Sequence, residues 1–432
     1  MQLSACFQIS LSLPIGAKCI LGYLAVFFSV NGHVYLHIST LCEALWLWLS
    51  RMLLRRKTGF FLMVTICLLL ISIWKNYHIP PPPFNGAQLP PEPIPSREKP
   101  AAIISRPSLL ISPRCEQNLS MANVSGFFDL PTRLQDFMYY QHCKHFPLLL
   151  DLPNKCGGAD GSSDVFLLLA IKSPPQNFER RQVLRDTWAQ ERPHKGVWIR
   201  RVFMSGTSGA GIAKRRLNKL MAVEHKKHGD ILQWDFQESF TNLTLKQVLF
   251  LEWVKECCPR VRFLLNGDDD IFAHTDNMVD YLQGVHGNDG GDKHLFTGAL
   301  MEGTGPVREN NKYFVPVQVQ ASDSYPAYCS GGGYMLSGHT ANVLYRMSRF
   351  VALHPIDDAY MGMCLDRAGL KPSAHMGVKP WGLNIPLVKE DTFDPCFYKD
   401  ILMVHRFMPA QMYLLWDQVN DPKLRCWSDG TA

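Results

Sequence analysis

Val261-Arg262-Phe263-Leu264-Leu265-Asn266-Gly267-Asp268-Asp269-Asp270-Ile271-Phe272 joins a short apolar run to three consecutive carboxylates. The first five residues are mostly branched or aromatic, the composition of a short buried strand. Gly267 eases the chain into the turn that follows. Three like charges packed together are costly unless something positive neutralises them. Hard divalent cations such as Mg²⁺ or Mn²⁺ are the usual partners of clustered carboxylates. On an extended chain Asp268 and Asp270 project to one side and Asp269 to the other. One side would then face a metal ion and the other a separate partner. A solvated acidic turn is the simpler account of an isolated Asp-Asp-Asp. The strand ahead and Ile271-Phe272 behind weigh against it and favour a cation site.

Upstream, Val165-Phe166-Leu167-Leu168-Leu169-Ala170-Ile171 is a continuous apolar run suited to a buried parallel strand. Lys172-Ser173 closes it, and Pro174-Pro175 bars an immediate helix. Helical spacing then predicts a helix over 179–190, with Val183, Leu184 and Trp188 on one face and Arg180, Arg181 and Arg185 on or beside it. A strand over 197–204, a Gly/Ser loop, a basic amphipathic helix over 213–228, a strand over 231–234 and a helix over 243–257 follow. Strands alternating with helices at these lengths predict an α/β sheet of βαβ units. Ligands of such sheets bind at the carboxyl ends of strands. The Asp cluster, Lys172-Ser173 and the Arg-bearing helix start would gather there.

Three downstream stretches carry further chemistry. In Tyr325-Pro326-Ala327-Tyr328-Cys329-Ser330-Gly331-Gly332-Gly333-Tyr334 the glycines permit close backbone approach to a ligand. The tyrosines offer flat faces for sugar rings. Tyr328, Gly331, Gly332 and Gly333 are therefore candidate sugar contacts, against the plainer reading of a Gly-rich hairpin. No Gly-Lys-Ser/Thr follows, so the stretch is not a P-loop. Asp357-Asp358, in His354-Pro355-Ile356-Asp357-Asp358-Ala359-Tyr360, sits at an expected helix start that either carboxylate can cap. Its functional reading is a general base for an acceptor hydroxyl, on the face opposite the leaving group. Finally, Leu402-Met403-Val404-His405 places a histidine after an apolar strand. A lone histidine is usually structural, but at a strand end in a metal-dependent domain a ligand role is reasonable.

Lys+Arg 44 against Asp+Glu 38 gives a net charge of +6, and no basic stripe is interleaved with aromatics, which argues against nucleic acid as a partner. Thirteen cysteines without a CxxC pair point to disulfides in an oxidising compartment and away from zinc. Cys6, Cys19, Cys42 and Cys67 lie in the apolar N-terminal region. The remaining nine are odd in number, so at least one stands outside any intrachain pair. Their connectivity is not readable from sequence. Cys143 and Cys156 are candidates to staple a short helical segment over 126–150.

Residues 58–75 are expected to be a signal-anchor helix, because 58–74 form a charge-free apolar run flanked by Lys57 and Lys75. Arg51, Arg55, Arg56 and Lys57 precede it, so the positive-inside rule sends the C-terminal bulk into the lumen. Residues 1–57 are read as a cytoplasmic extension. Their apolar stretches allow further membrane segments or a signal peptide, and a translation start at Met52 is the preferred reading. A Pro-rich stem over 76–110 cannot bury a core and serves as a spacer. A luminal helical subdomain over 111–160 and a catalytic domain over 161–432 complete the expected organisation. Asn118, Asn123 and Asn242 head Asn-x-Ser/Thr sequons, all on the expected luminal side, and are candidate glycosylation sites.

Residues 166–173 with Arg180-Arg181 and Arg185-Asp186-Thr187-Trp188, together with 230–246, 266–272, 325–334 and 355–365, jointly carry a resemblance. The chain resembles the β-1,3-N-acetylglucosaminyltransferases within the inverting β-1,3-glycosyltransferase family that also holds β-1,3-galactosyltransferases and is related to Fringe. The similarity runs over about 115–426. Ile356-Asp357-Asp358 is similar to the N-acetylglucosaminyl branch, whereas galactosyl members tend to carry Glu-Asp there. Asn266 departs from the commoner Lys, and Cys329-Ser330 stands where many members have Ala-Gly. Both features resemble core-1-extending members.

The resemblance implies a GT-A fold with a Rossmann-like nucleotide-sugar-binding sheet, UDP-GlcNAc as donor and Mn²⁺ (or Mg²⁺) as cofactor. It implies galactose-terminated acceptors, N-acetyllactosamine or core 1 O-glycans, on glycoproteins or glycolipids. It also implies a single-pass type II protein of the Golgi membrane, and it allows homo-oligomers or hetero-oligomers with other Golgi glycosyltransferases. In site terms it places metal at Asp268, Asp270 and His405, and the base at Asp358. Donor contacts fall to Lys172, Arg181, Arg185 and Asp269, and Asp357 joins the acceptor or sugar contacts. A β-1,3-galactosyltransferase using UDP-Gal is the nearest alternative. A non-catalytic glycan-binding relative is the more distant one, and the intact Asp residues argue against it.

Overall fold

The computed structural model describes residues 115–157, 165–286, 291–380 and 394–426. The expected anchor, stem and N-terminal extension lie outside these residues. No helix among the described residues is long and apolar enough to cross a membrane.

The described chain opens with two 3₁₀ turns, Leu119–Asn123 and Phe127–Asp129, and helix α1 (Thr132–Tyr140). Leu134, Phe137 and Met138 fall at helical spacing and are α1's buried residues. Strand β1 (Leu148–Leu150) ends this segment, so the last part of the stretch expected to be helical is extended. The alternating core follows as β2 (Val165–Lys172), α2 (Phe178–Asp186), β3 (Arg192–His194), β4 (Val197–Thr207), α3 (Gly211–His228) and β5 (Ile231–Gln237). Next come α4 (Leu243–Cys257), β6 (Phe263–Asp268), β7 (Ile271–Ala273), α5 (Thr275–His286), β8 (Phe296–Met301) and β9 (Tyr328–Ser337). The C-terminal part contributes α6 (Gly338–Ser348), α7 (Asp357–Arg367), β10 (Ser373–Ala374), β11 (Val378–Lys379), α8 (Cys396–Lys399), β12 (Met403–His405) and α9 (Pro409–Val419).

Helix α2 stops four residues earlier than its pattern suggests, at Asp186, because Thr187 leaves the helical region at φ −116 and ψ −125. That turn buries Trp188, whose indole Nε1 donates to Ile271 O at 2.9 Å. Helix α3 ends where Gly229 adopts a left-handed φ of 59 and donates its N–H to His225 O.

The main sheet runs β1-β5-β4-β2-β6-β9-β8-β10, with β3 attached to β4. The pairs β2/β4, β4/β5 and β2/β6 are parallel, as the alternating pattern requires. Strand β9 lies antiparallel to both β6 and β8, so the sheet is mixed. Every residue of β2 is buried. Val165, Leu168 and Ala170 enter one apolar cluster, while Phe166, Leu167, Leu169 and Ile171 enter the other. Burial on both faces is why β2 reads as unbroken apolar sequence. Complete burial of each Leu is worth about 1.5–3 kcal/mol.

Strands β4 and β5 leave β2 on one side and β6 flanks it on the other, so β2 marks the switch in strand order. A second sheet, β11-β12-β7, sits beyond β6. Its antiparallel β12/β7 pair sets His405 opposite Ile271, one residue past the Asp cluster. Disulfides join Cys115–Cys143, Cys156–Cys258 and Cys396–Cys426. Cys143 and Cys156 therefore do not pair with each other across the 126–150 segment: Cys143 ties α1 back to Cys115, and Cys156 ties the chain ahead of β2 to Cys258 after α4. Cys329 and Cys364 remain buried thiols.

Candidate active site

Lys172, the last residue of β2, is the register partner of Asp268, the last residue of β6. Its ammonium lies 2.9 Å from Asp268 Oδ1 and 3.1 Å from Asp357 Oδ2, and donates to Gly331 O at 3.1 Å. One almost fully buried cation therefore touches the Asp cluster, the late Asp pair and the Gly-rich strand. Its carboxylate neighbours hold its pKa above the usual lysine range in spite of burial.

The three aspartates divide as the extended-chain geometry predicts. Asp268, Asp270 and His405 place one ligand atom each within 4.8 Å of one another. His405 Nε2 lies 3.0 Å from Asp270 Oδ1 and 3.6 Å from Asp268 Oδ2. Burial alone would raise Asp270 and lower His405. Their hydrogen bond reverses both, holding Asp270 below the carboxylate range and His405 above the imidazole range. Asp268 stays raised because burial outweighs the pull of Lys172. Two hard carboxylate oxygens and one imidazole nitrogen converging on one point fit a divalent ion such as Mn²⁺ or Mg²⁺, whose charge would take the place of the shared proton.

Asp269 turns the other way. Its Oδ2 accepts from Ser173 Oγ at 2.7 Å and from Asn177 Nδ2 at 2.8 Å. Burial pushes its pKa up to about 6 in spite of those bonds. Asp269 therefore anchors the loop after β2 as well as facing the cleft.

Asp358 occupies the first turn of α7. Its Oδ2 accepts from Gly331 N at 2.9 Å, and its Oδ1 from Ala359 N at 2.8 Å. Burial, then the charge of neighbouring Asp357, pushes its pKa up to about 7. A carboxylate poised there can accept a proton near neutral pH. Asp357 is directed inward, toward Lys172 and toward Gln247 Nε2 at 3.4 Å. Gln247 and Asn266 exchange two amide hydrogen bonds of 2.6 and 3.0 Å below it.

Two cavities adjoin across Lys172, Asp268, Phe240 and Leu243, which line both. The first, of about 430 Å³, is walled by Asn177, Arg180, Glu238, Lys246 and the three aspartates. The second, of about 330 Å³, holds Tyr328, Gly331, Gly332, Asp357, Asp358 and His405 among its lining residues.

Several expected contacts fall elsewhere. Arg181 is 0% exposed and spends its guanidinium on Glu224, Ser173 Oγ and the carbonyls of Pro174 and Pro175. Arg185 is likewise buried, paired with Asp230 and Glu224. Neither lines the cleft, so both leave the donor-contact set. Arg181 acts on the site at one remove, through Ser173 and Asp269. The arginine that does line the first cavity, beside Lys172, is Arg180, which donates to Phe407 O at 3.0 Å and lies 3.9 Å from Asp269 Oδ1. Buried Lys246, 2.8 Å from Glu238 Oε1, joins it there.

The glycines make room for protein as much as for ligand. A Cβ on Gly332 would sit 2.7 Å from His405 Nδ1, and one on Gly331 would sit 3.3 Å from Asp358 Oδ2. Gly333 packs against Met403 Sδ, outside the second cavity, which removes it from the sugar-contact set. Tyr334 is core as well, stacked on Phe296 with centroids 4.5 Å apart, whereas Tyr328 does line the cavity. Of the sequon residues, Asn123 is exposed, and Asn118 and Asn242 are half-buried.

Comparison with known proteins shows the family. Residues 179–375 match the family described as galactosyltransferase. The chain is 49% identical over 332 residues to the human acetylgalactosaminyl-O-glycosyl-glycoprotein β-1,3-N-acetylglucosaminyltransferase, covering 76% of this chain and 85% of that protein. It is also 49% identical over 314 residues to human N-acetyllactosaminide β-1,3-N-acetylglucosaminyltransferase 3, covering 72% and 82% respectively. Rattus norvegicus UDP-GlcNAc:βGal β-1,3-N-acetylglucosaminyltransferase 7 is 36% identical over 316 residues, covering 72% of this chain and 77% of its own.

Proposed function

The chain belongs to the galactosyltransferase family, and from that premise we propose that it transfers GlcNAc from UDP-GlcNAc, with inversion, in β-1,3 linkage to a terminal galactose. N-acetyllactosamine and core 1 O-glycans are the acceptor classes, as the names of its relatives suggest. The observation that carries the reading is the pair of adjoining cavities, one holding the Asp268–Asp270 side and the other Asp358. An inverting displacement needs a leaving group on one side of the reacting carbon and a base-activated nucleophile on the other.

In this reading the donor lies in the first cavity, with Arg180 and Lys172 supplying positive charge near the diphosphate. A divalent ion held by Asp268, Asp270 and His405 would offset the charge that grows on departing UDP. The acceptor galactose lies in the second cavity against Tyr328. Asp358 accepts the proton of its 3-hydroxyl as that oxygen bonds to the anomeric carbon, and the anomeric C–O bond to UDP breaks. The N–H groups of Gly331 and Ala359 hold the Asp358 carboxylate in position through the step. The mixed sheet is read as a GT-A fold, with Mn²⁺ as the ion. The chain is read as a type II Golgi protein anchored by 58–75, with its catalytic domain luminal. The disulfides support an oxidising compartment.

Incubating the full chain with lactosamine or core 1 acceptor and either UDP-GlcNAc or UDP-Gal tests this. Transfer of GlcNAc in β linkage is expected; transfer from UDP-Gal alone would overturn the donor assignment.

A further inference from the structure

A third cavity, of about 430 Å³, adjoins the first at Ser239, which lines both. It is bounded by Phe137 and Tyr140 of α1, by Phe146 and Phe236, and by Gln237 and Asn242. Its size falls within the range of small-molecule pockets. Aromatic faces with an amide rim are the surroundings that a sugar ring accepts. Tyr140 remains 44% exposed here, a large apolar surface left open among the described residues.

Asn242 heads the sequon Asn242-Leu243-Thr244 and precedes α4. Its Nδ2 donates to Gln237 O at 2.9 Å, which sets the amide nitrogen at the cavity wall. Attachment of a sugar there uses one of the two amide hydrogens and leaves the other for Gln237. Thr244 is 1% exposed and its hydroxyl donates to His354 O at 2.5 Å, so the sequon hydroxyl is sealed in the folded domain. Modification of Asn242 must therefore precede the packing of α4.

We propose that Asn242 carries an N-glycan whose first GlcNAc fills this cavity and ties α1 to the start of α4. The donor class is a lipid-pyrophosphate-linked oligosaccharide. The Asn242 amide nitrogen bonds to the anomeric carbon, the anomeric C–O bond to pyrophosphate breaks, and the amide loses one proton. The proposal rests on the luminal reading given above.

Glycopeptide mass spectrometry of the full chain from a secretory host, with hydrogen exchange over residues 132–150, tests it. Occupied Asn242 is expected, and removal of the whole glycan by amidase should speed exchange there by ~3-fold or more. An endoglycosidase that leaves a single GlcNAc should not. Asn242→Gln should reproduce the amidase result, and Asn123→Gln, at an exposed site, should leave exchange unchanged. Tyr140→Ser should speed exchange in the glycosylated chain and add nothing in Asn242→Gln. A bare Asn242 beside occupied Asn118 or Asn123 overturns this inference alone; three bare sequons overturn the luminal reading. An occupied Asn242 whose removal leaves exchange unchanged also overturns it.

Discussion

Asp358→Asn tests the proposed base at a small structural cost. Asp358 accepts one N–H on each carboxylate oxygen, from Gly331 at 2.9 Å and Ala359 at 2.8 Å. An asparagine has one acceptor oxygen, so one of those bonds is lost, at about 1 kcal/mol. The loss of charge at the start of α7 removes a further ~0.3–1 kcal/mol of helix-dipole stabilisation. Relief of repulsion with Asp357 acts in the opposite sense. The net change in stability is within about 2 kcal/mol, a melting shift of a few degrees. Catalysis should fall far more. Loss of a positioned base lowers kcat by roughly 10²–10⁴, or about 3–5 kcal/mol of barrier. The assay is kcat with UDP-GlcNAc and lactosamine, alongside calorimetric UDP binding, which should be unchanged because the first cavity is intact. A variant keeping kcat within ~10-fold of the parent would refute the assignment. The parent's pH dependence offers a second check. With Asp358 raised to about 7, kcat/KM should be full above that pH and fall about tenfold per unit below it. Its folded pKa exceeds the unfolded value of roughly 4, so the folded state holds an extra proton between the two. The stability this group contributes is present below pH ~4 and lost as pH rises through about 7, a trend that Asp358→Asn should flatten.

His405→Ala and Asp270→Asn should each raise the Mn²⁺ concentration for half-maximal activity at least ~10-fold, with EDTA abolishing transfer by the parent. Activity that persists in EDTA would remove the metal role. Gly332→Ala forces a Cβ to 2.7 Å from His405 Nδ1, so it should weaken Mn²⁺ binding much as His405→Ala does; metal titration decides. Arg181→Leu leaves Glu224 to Arg185 alone and removes the buried donor to the Pro174 and Pro175 carbonyls, so it should cost ~2–4 kcal/mol of stability and lower Tm by several degrees. Arg180→Ala should instead raise KM for UDP-GlcNAc about tenfold with Tm unchanged. The reverse pattern in calorimetry and kinetics would restore Arg181 as the donor contact.

The parts of the site that sequence could reveal are those encoded locally. The unbroken run from Val165 announces a strand buried on both faces. Asp268–Asp270 at the end of β6 combine charge repulsion with an apolar entry, which marks them as more than a turn. Pairing between distant segments was not readable. Nothing near His405 says that β12 will lie against β7, and the antiparallel insertion of β9 breaks the simple parallel pattern. The arginines of α2 misled because charge type alone does not reveal burial. A signal was present in α3, where Glu224 is the one acid in a strongly basic helix and sits at helical spacing from buried Met221. A solitary carboxylate on the inward face implies a buried cation opposite. The glycines at 331–333 suggest space for a ligand, whereas Gly332 spaces the strand from an imidazole that arrives from far along the chain.

Lys172 has a consequence for how the sheet assembles. It is paired across β2 and β6 with Asp268 and also compensates Asp357. A slip of β2 by one residue would turn Lys172 to the opposite face. Buried Asp357 would then be enclosed without its cation, and Asp268 would keep only His405, at several kcal/mol. Apolar β2 would tolerate such a slip well, because Leu167, Leu168 and Leu169 are nearly interchangeable. The charges at the strand ends therefore proofread the alignment that the greasy middle leaves degenerate, and a misthreaded sheet is rejected by the same residues that would handle the sugar.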